Sequence, residues 1–117
     1  SILPLTPETT DLYDAGTFAR MKPGAVFINS GRGLQMVEDD LIAAIDNGMI
    51  SAAVLDVTRT EPLPGGHPLW DHPGVTIWPH VSAQTSEISA APQVVEAIKA
   101  IRAGREPENN VDISRGY

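Results

Sequence analysis

The sequence contains no cysteine and little positive charge, and each shortage excludes a class of protein. Without cysteine, disulfides and thiolate metal sites are impossible, which fits a cytoplasmic protein. Eight lysines and arginines stand against fifteen acidic residues, so the formal net charge is −7. This balance argues against nucleic acid and against anionic membrane surfaces as partners. An anionic ligand would therefore need a local cation.

Several sequence patterns are missing as well. No run of roughly 18 apolar residues predicts a transmembrane helix. No G-x-S-x-G motif supports a serine nucleophile. No G-x-G-x-x-G loop occurs, so the chain does not by itself show how a dinucleotide would be held. What remains is 117 residues, 42% of them hydrophobic, which is enough for one globular domain or part of one.

Three short apolar runs alternate with helical patterns. The runs predict strands at residues 25–30, 51–57 and 75–79. The helical patterns before, between and after these strands predict helices at residues 14–21, 36–48 and 87–103. The stretch from 58 to 74 is rich in proline and predicts a long loop with one helical turn near Leu69. Strands that alternate with helices indicate an α/β fold with a parallel sheet. The first run is apolar throughout, which is typical of a strand covered on both faces.

Each apolar run leads into polar residues that can do chemistry. Ligands of an open parallel sheet bind outside the carboxyl ends of its strands. We therefore expect Arg32, Asp56, Glu61 and His80 to converge on one edge of the sheet. A cation, an imidazole and carboxylates are a suitable set for carbonyl or carbinol chemistry.

Each of these residues also has a simpler interpretation. Arg32, between two glycines, could bind a carboxylate with its two-pronged guanidinium or could be a solvated turn residue. His80 could be a general acid/base, because histidine has an ordinary pKa of about 6.5, or could be structural. Glu61 or Asp56 could orient the imidazole, but the first could be a plain loop carboxylate and the second could cap a turn.

A cluster of acids opens the second helical pattern. Glu38, Asp39 and Asp40 could suggest a metal site. Acids in the first turn of a helix are explained better by their interaction with the helix dipole, so we predict no metal.

Taken together, the motifs resemble those of the D-isomer-specific 2-hydroxyacid dehydrogenases, which are NAD(P)-dependent Rossmann enzymes. The loop at residues 67–70 and the ending at 111–117 are most similar to the glyoxylate/hydroxypyruvate reductase branch. The matching stretches are residues 3–9, 21–25, 28–33, 55–57, 61–64 and 79–81.

This resemblance implies a partial Rossmann-like domain with three α/β/α layers around a parallel sheet. Residues 1–86 would form the second half of the NAD(P)-binding domain. Residues 87–117 would form a helix and tail that return to a substrate domain outside this chain. The opening at Ser1 looks like the end of a strand, so we expect a C-terminal fragment that is inactive alone. The full-length protein is expected to be a homodimer.

The resemblance also assigns roles to residues. Arg32, Glu61 and His80 would be catalytic: His80 would protonate the ketone oxygen, Glu61 would hold His80, and Arg32 would bind the substrate carboxylate. Asp56 would contact the nicotinamide carboxamide. The cofactor would be NAD(P)H, with NADPH favoured by the branch, and the substrate a small 2-keto acid. The implied cofactor-binding residues are Pro4, Leu5, Thr6, Ser30, Gly31, Arg32, Asp56, His80, Ser82 and Ala83.

Two positions depart from the family pattern, and two other functions stay open. Thr58 stands where an aromatic residue commonly follows the Asp-Val pair, and Trp78 replaces a smaller residue before Pro79 and His80. Either could reshape the pocket. The alternatives are a non-catalytic scaffold or nucleotide-sensing module that keeps the dehydrogenase fold, and a standalone α/β domain of unrelated chemistry.

Overall fold

The computed structural model describes residues 1–115, which form two compact units. The first unit is Ser1–Ser82 and the second begins at Ala83. The first contains a parallel sheet of three strands in the order β1 (Ala25–Asn29), β2 (Ile50–Leu55) and β3 (Val75–Ile77). The α/β class and the parallel sheet are confirmed, and every strand begins and ends within two residues of its predicted bounds.

Helices connect the strands, and their ends follow the capping residues. Helix α1 (Ala15–Ala19) begins after Asp14, whose carboxylate accepts a hydrogen bond from Thr17 N at 2.8 Å. A 3₁₀ turn (Gly33–Gln35) precedes helix α2 (Glu38–Asp46). Helix α3 (Pro68–Asp71) is the helical turn predicted within the proline-rich loop.

One face of the sheet forms the core of this unit. Phe27 on β1 meets Phe18 on α1 edge-to-face, with ring centroids 5.3 Å apart. Leu41 on α2 and Leu69 on α3 are fully buried against the same strands. All the helices of this unit therefore pack on a single face, and Ser1–Ser82 holds two layers of the predicted three-layer domain.

The opposite face of the sheet is open. Val26 and Ile28, which alternate with the buried side chains of β1, are 56% and 53% exposed. The prediction that β1 is covered on both faces is therefore wrong for this structure. The apolar sequence is that of a two-sided strand, but the described residues cover only one side of it.

The second unit consists mainly of helix α4 (Glu87–Arg102), with Pro92 inside it. Gly104 ends the helix with φ of +67°, and Arg105 N then donates to Ala100 O at 2.9 Å. The tail up to residue 115 contains no helix or strand, as predicted. Gly116 and Tyr117, the last residues of the predicted tail, lie outside the described residues. No helix within residues 1–115 has the length and apolar character needed to cross a membrane.

Candidate active site

The register of the sheet aligns the carboxyl ends of its strands. Asn29 pairs with Leu55, and Leu55 pairs with Ile77. Asp56 follows this row directly, and Arg32 and His80 each follow their strand by three residues. The loops that carry the predicted site residues therefore leave the sheet at one edge, as the sequence pattern predicts.

His80 and Glu61 form the central contact of this edge. Nδ1 of His80 lies 2.7 Å from Oε2 of Glu61, while Oε1 of Glu61 accepts a hydrogen bond from Thr58 N at 3.0 Å. The carboxylate thus holds the ring with one oxygen and is itself anchored by the other. Nε2 of His80 makes no hydrogen bond within residues 1–115, and the side chain is 51% exposed. A proton at Nε2 is therefore accessible to a ligand.

The backbone of His80 adopts a conformation that is uncommon for residues with a β-carbon. Its φ is +55°, in the left-handed region. The chain turns sharply here and continues into Val81 and Ser82, whose N–H groups donate to Oδ1 and Oδ2 of Asp56 at 2.8 and 3.0 Å. Asp56 therefore anchors the loop after His80, and Glu61, not Asp56, contacts the imidazole.

The environment of Asp56 favours its ionised form. The carboxyl group is almost fully buried, and burial by itself would raise its pKa. The hydrogen bonds from Val81 and Ser82 outweigh that effect, with help from the nearby His80, and hold the pKa of Asp56 below its ordinary value. A buried carboxylate thus accepts two backbone N–H groups at the sheet edge.

Arg32 lies on a tight turn packed against the loop of Glu61. Its side chain is exposed, and Nη1 donates to Gly31 O at 2.7 Å. A β-carbon on Gly33 would lie only 1.9 Å from Thr58 O, so glycine is required for this approach. Because Thr58 N also binds Glu61, the Arg32 turn, Glu61 and His80 form one continuous set of contacts.

A largely apolar cleft of about 450 Å³ opens beside the histidine. Trp70 and Trp78 line it and are each about half exposed, so these tryptophans are not core residues. Arg32 does not line it. The lining residues are Asp56, Thr58, Glu61, Pro62, Leu63, Trp70, Ile77, Trp78, Pro79 and His80.

The segment predicted to contact the cofactor lies beside the Arg32 turn. Ser30 N donates to Ser1 O at 2.9 Å, and a β-carbon on Gly31 would lie 3.0 Å from Leu3 O. Ser1 and Leu3 therefore lie next to Ser30 and Gly31, and Pro4, Leu5 and Thr6 follow Leu3 directly in the chain. Of the last two predicted contacts, Ser82 ends the first unit and Ala83 begins the second.

Two buried polar side chains near the site have roles that the sequence did not indicate. Gln35 is fully buried, and its amide binds both the Arg32 turn and the backbone before Leu5. Glu38 is 8% exposed, and its Oε1 accepts from Arg59 N at 2.8 Å. Glu38 therefore tethers the Glu61 loop to α2, which is a role that the dipole explanation did not predict.

The donor set at this edge matches one end of a nicotinamide dinucleotide. Ser30 and Arg32 follow β1 at this edge, and an apolar cleft adjoins His80. These features suit the nicotinamide and its ribose. The pyrophosphate would need a glycine-rich loop, which the sequence does not contain.

A ligand site outside the carboxyl ends of parallel strands is typical of a nucleotide-binding α/β domain. Residues 1–82 match the family described as "D-isomer specific 2-hydroxyacid dehydrogenase, NAD binding domain". The chain belongs to this family. The resemblance stated from the motifs is confirmed, and the structure is part of such a domain.

The relatives extend the match over the whole chain. Glyoxylate/hydroxypyruvate reductase A of Serratia proteamaculans is 47% identical over all 117 residues, which are 37% of that protein's length. The protein of the same name from Yersinia enterocolitica is 46% identical over the same share. The chain thus spans little more than a third of the length of these curated relatives.

Solved structures show the same similarity. A D-isomer specific 2-hydroxyacid dehydrogenase from Xanthobacter autotrophicus Py2, in complex with NADPH and MES, superposes with a TM-score of 0.93 at 47% identity. The match covers 99% of this chain and 48% of that one. An NADPH-dependent glyoxylate/hydroxypyruvate reductase from Sinorhizobium meliloti, in complex with NADP and sulfate, has a TM-score of 0.90 at 38% identity, covering 99% and 38%.

Proposed function

We propose that this chain is the part of an NAD(P)-dependent 2-hydroxyacid dehydrogenase that carries its acid–base pair. The reaction is reduction of a small 2-keto acid, of the glyoxylate or hydroxypyruvate type, to the 2-hydroxy acid. The observation that carries the proposal is the 2.7 Å contact between Glu61 and His80 at the carboxyl edge of the sheet. The names of the Serratia and Sinorhizobium relatives support the substrate class.

In this reaction a bound reduced nicotinamide supplies the hydride. His80 donates the proton at Nε2 to the ketone oxygen as it becomes an alcohol, and takes it back in the oxidative direction. Glu61 holds the ring through Nδ1 and so leaves Nε2 directed toward the ligand. Arg32 binds the substrate carboxylate and places positive charge near the oxygen, where negative charge develops.

The nicotinamide end of the cofactor would lie along the sheet edge. Pro4, Leu5, Thr6, Ser30 and Gly31 would contact it from one side. On the other side, the backbone after His80, through Ser82 and Ala83, would contact it, and Asp56 would use a remaining lone pair for the carboxamide. NADPH is the favoured form, because structures similar to this one contain NADPH or NADP.

We extend the proposal to the complete protein. Residues 1–86 would be the second half of its NAD(P)-binding domain, and residues 87–117 would lead back to a substrate domain. The complete enzyme would be a cytoplasmic homodimer, and this chain alone would be inactive, because the glycine-rich loop is not part of it.

The test is oxidation of NADPH by the complete enzyme with glyoxylate and with hydroxypyruvate. We expect turnover by the wild type and a fall of at least about 10²-fold in kcat for His80→Ala, the lower end of what general acid–base catalysis contributes. His72→Ala is the matched control, because His72 contacts Asp46, away from this edge. Equal turnover by wild type and His80→Ala would remove His80 from the proposed role. No turnover by the wild type with any 2-keto acid would favour a non-catalytic module.

A further inference from the structure

The side chain of Gln35 is a fully buried amide with every hydrogen-bonding position in use. Its Oε1 accepts from Arg32 N and from Ser1 Oγ, both at 3.2 Å. Its Nε2 donates to Leu3 O and to Pro4 O, both at 2.9 Å. An amide has two donor hydrogens and two acceptor lone pairs, so this side chain is completely satisfied.

The partners of Gln35 belong to two segments that are far apart in sequence. Leu3 directly precedes the predicted cofactor segment and Pro4 is the first residue of it; they lie 32 and 31 positions from Gln35. Arg32, the predicted ligand of the substrate carboxylate, lies on the turn after β1. One buried side chain therefore sets the distance between the cofactor segment and the substrate-binding arginine.

The hydrogen bonds of Gln35 require an amide, and the turn at Gly31 packs closely against its side chain. A glutamate of the same shape would place a carboxylate oxygen against two carbonyl oxygens, and a methionine would leave those carbonyls without a donor. A β-carbon on Gly31 would lie 2.6 Å from Oε1 of Gln35. The turn therefore closes over the amide only because residue 31 is glycine.

A second buried amide completes the hold on Arg32. Asn29 Nδ2 donates to Arg32 O at 3.2 Å, and Asn29 Oδ1 accepts from Gly31 N at 3.0 Å. Gln35 binds the backbone N–H of Arg32, so both backbone polar groups of the arginine are bound by buried side chains. The guanidinium itself stays exposed.

We propose that Gln35 is a positioning residue of the active site. It touches neither substrate nor cofactor. It fixes the Arg32 turn against the segment of Pro4, so that the carboxylate-binding group and the nicotinamide contacts hold one spacing. A displacement of about 1 Å in such a group can cost about 10²-fold in rate, so this fixation has a kinetic consequence.

The kinetic test rests on the proposed function and uses the complete enzyme. Gln35→Met keeps the size of the side chain and removes all four hydrogen bonds. We expect the Kd of NADPH and the KM of the keto acid each to rise about tenfold or more. The control is Leu41→Ala, a buried α2 substitution that lowers stability without contacting either segment. The two variants are compared at temperatures equally far below their thermal midpoints. The proposal is overturned if Gln35→Met raises neither the Kd of NADPH nor the KM of the keto acid more than Leu41→Ala does.

A second measurement does not depend on catalysis. Amide hydrogen exchange at Arg32 N, which Gln35 binds directly, should be about tenfold faster or more in Gln35→Met and unchanged in Leu41→Ala, relative to global unfolding. Equal protection in Gln35→Met and wild type would overturn the positioning role even if the enzyme is active. If the wild-type enzyme is inactive but exchange at Arg32 N is faster in Gln35→Met, the proposed function is refuted and the positioning role is not. If Gln35→Met does not fold, Gly31→Ala, which crowds the same oxygen, should give the same increase.

Discussion

Glu61 and His80, nineteen positions apart in sequence, lie with Oε2 and Nδ1 2.7 Å from each other. Because Oε1 of the same carboxylate is anchored by Thr58 N, the pair is held by the backbone of the loop as well as by its own attraction. The imidazole is oriented by one fixed carboxylate, and its other nitrogen faces away from it.

Glu61→Gln tests this orientation. The amide keeps the shape of the side chain but removes its negative charge, so it no longer stabilises a protonated imidazole. We expect kcat of the complete enzyme to fall by about 10²-fold or more, while the KM of the keto acid changes little. Glu108→Gln, an exposed carboxylate of the second unit, is the control. An unchanged kcat in Glu61→Gln would show that the contact has no part in proton transfer.

Asp56 makes the stability of the fold sensitive to acid. Its pKa is lowered in the folded state, so its stabilising contribution is complete above the ordinary value of 3.8 and is lost as the pH falls through the folded value. Asp56→Asn should cost about 1–3 kcal/mol near pH 7, because the amide cannot accept from both Val81 and Ser82. The difference in free energy of unfolding between variant and wild type should shrink as the pH falls toward about 2.

Urea unfolding at several pH values measures this difference, and Asp71→Asn, an exposed acid, provides the baseline. A wild-type advantage that stays constant from neutral to acid pH would contradict the assignment.

Gly33 tests the packing between the Arg32 turn and the Glu61 loop. A β-carbon would lie 1.9 Å from Thr58 O and 2.6 Å from Arg59 N, both backbone atoms, so Gly33→Ala must displace the loop. We expect destabilisation by about 1–3 kcal/mol or more, measured by urea unfolding, and a loss of kcat in the complete enzyme. Gly65→Ala is the matched control, because a β-carbon there meets nothing within 4 Å. Equal stability of the two variants would refute the close approach.

Glu38 tests whether the acids of α2 serve the site or only the helix. Its Oε1 accepts from Arg59 N at 2.8 Å, and its Oε2 lies 3.5 Å from Nε2 of His67. Glu38→Ala removes both contacts and should therefore lower the thermal midpoint, with a loss of about 1 kcal/mol or more in unfolding free energy. Asp39→Ala removes an exposed carboxylate from the same first turn and should change stability by less than about 0.5 kcal/mol. Similar effects of both variants would mean that the helix dipole alone explains the cluster.

Much of this site could be predicted because its residues follow strands. The apolar run before Pro79 predicts a strand, and a parallel sheet brings whatever follows a strand to its carboxyl edge. The placement of Arg32, Asp56 and His80 therefore required only the strand order. The choice between Glu61 and Asp56 as partner of the imidazole required atomic geometry, because both lie in the correct loop.

Gln35 could not be found in the same way. It lies between Leu34 and Met36, where a single polar residue is typical of a solvent-facing position. Its importance depends on hydrogen bonds to the backbone carbonyls of Leu3 and Pro4, and the pattern of side chains in a sequence does not indicate such bonds. The exposure of Val26 could not be predicted either. An apolar residue on a strand indicates that its side chain is suited to burial, but it does not indicate which element covers that side chain.

The left-handed backbone conformation of His80 costs conformational free energy. A residue with a β-carbon loses about 1–2 kcal/mol in that conformation, whereas glycine loses almost nothing. His80→Gly would relieve this strain but would also remove the imidazole, so the stability of the fold and the proposed proton transfer place opposite demands on position 80.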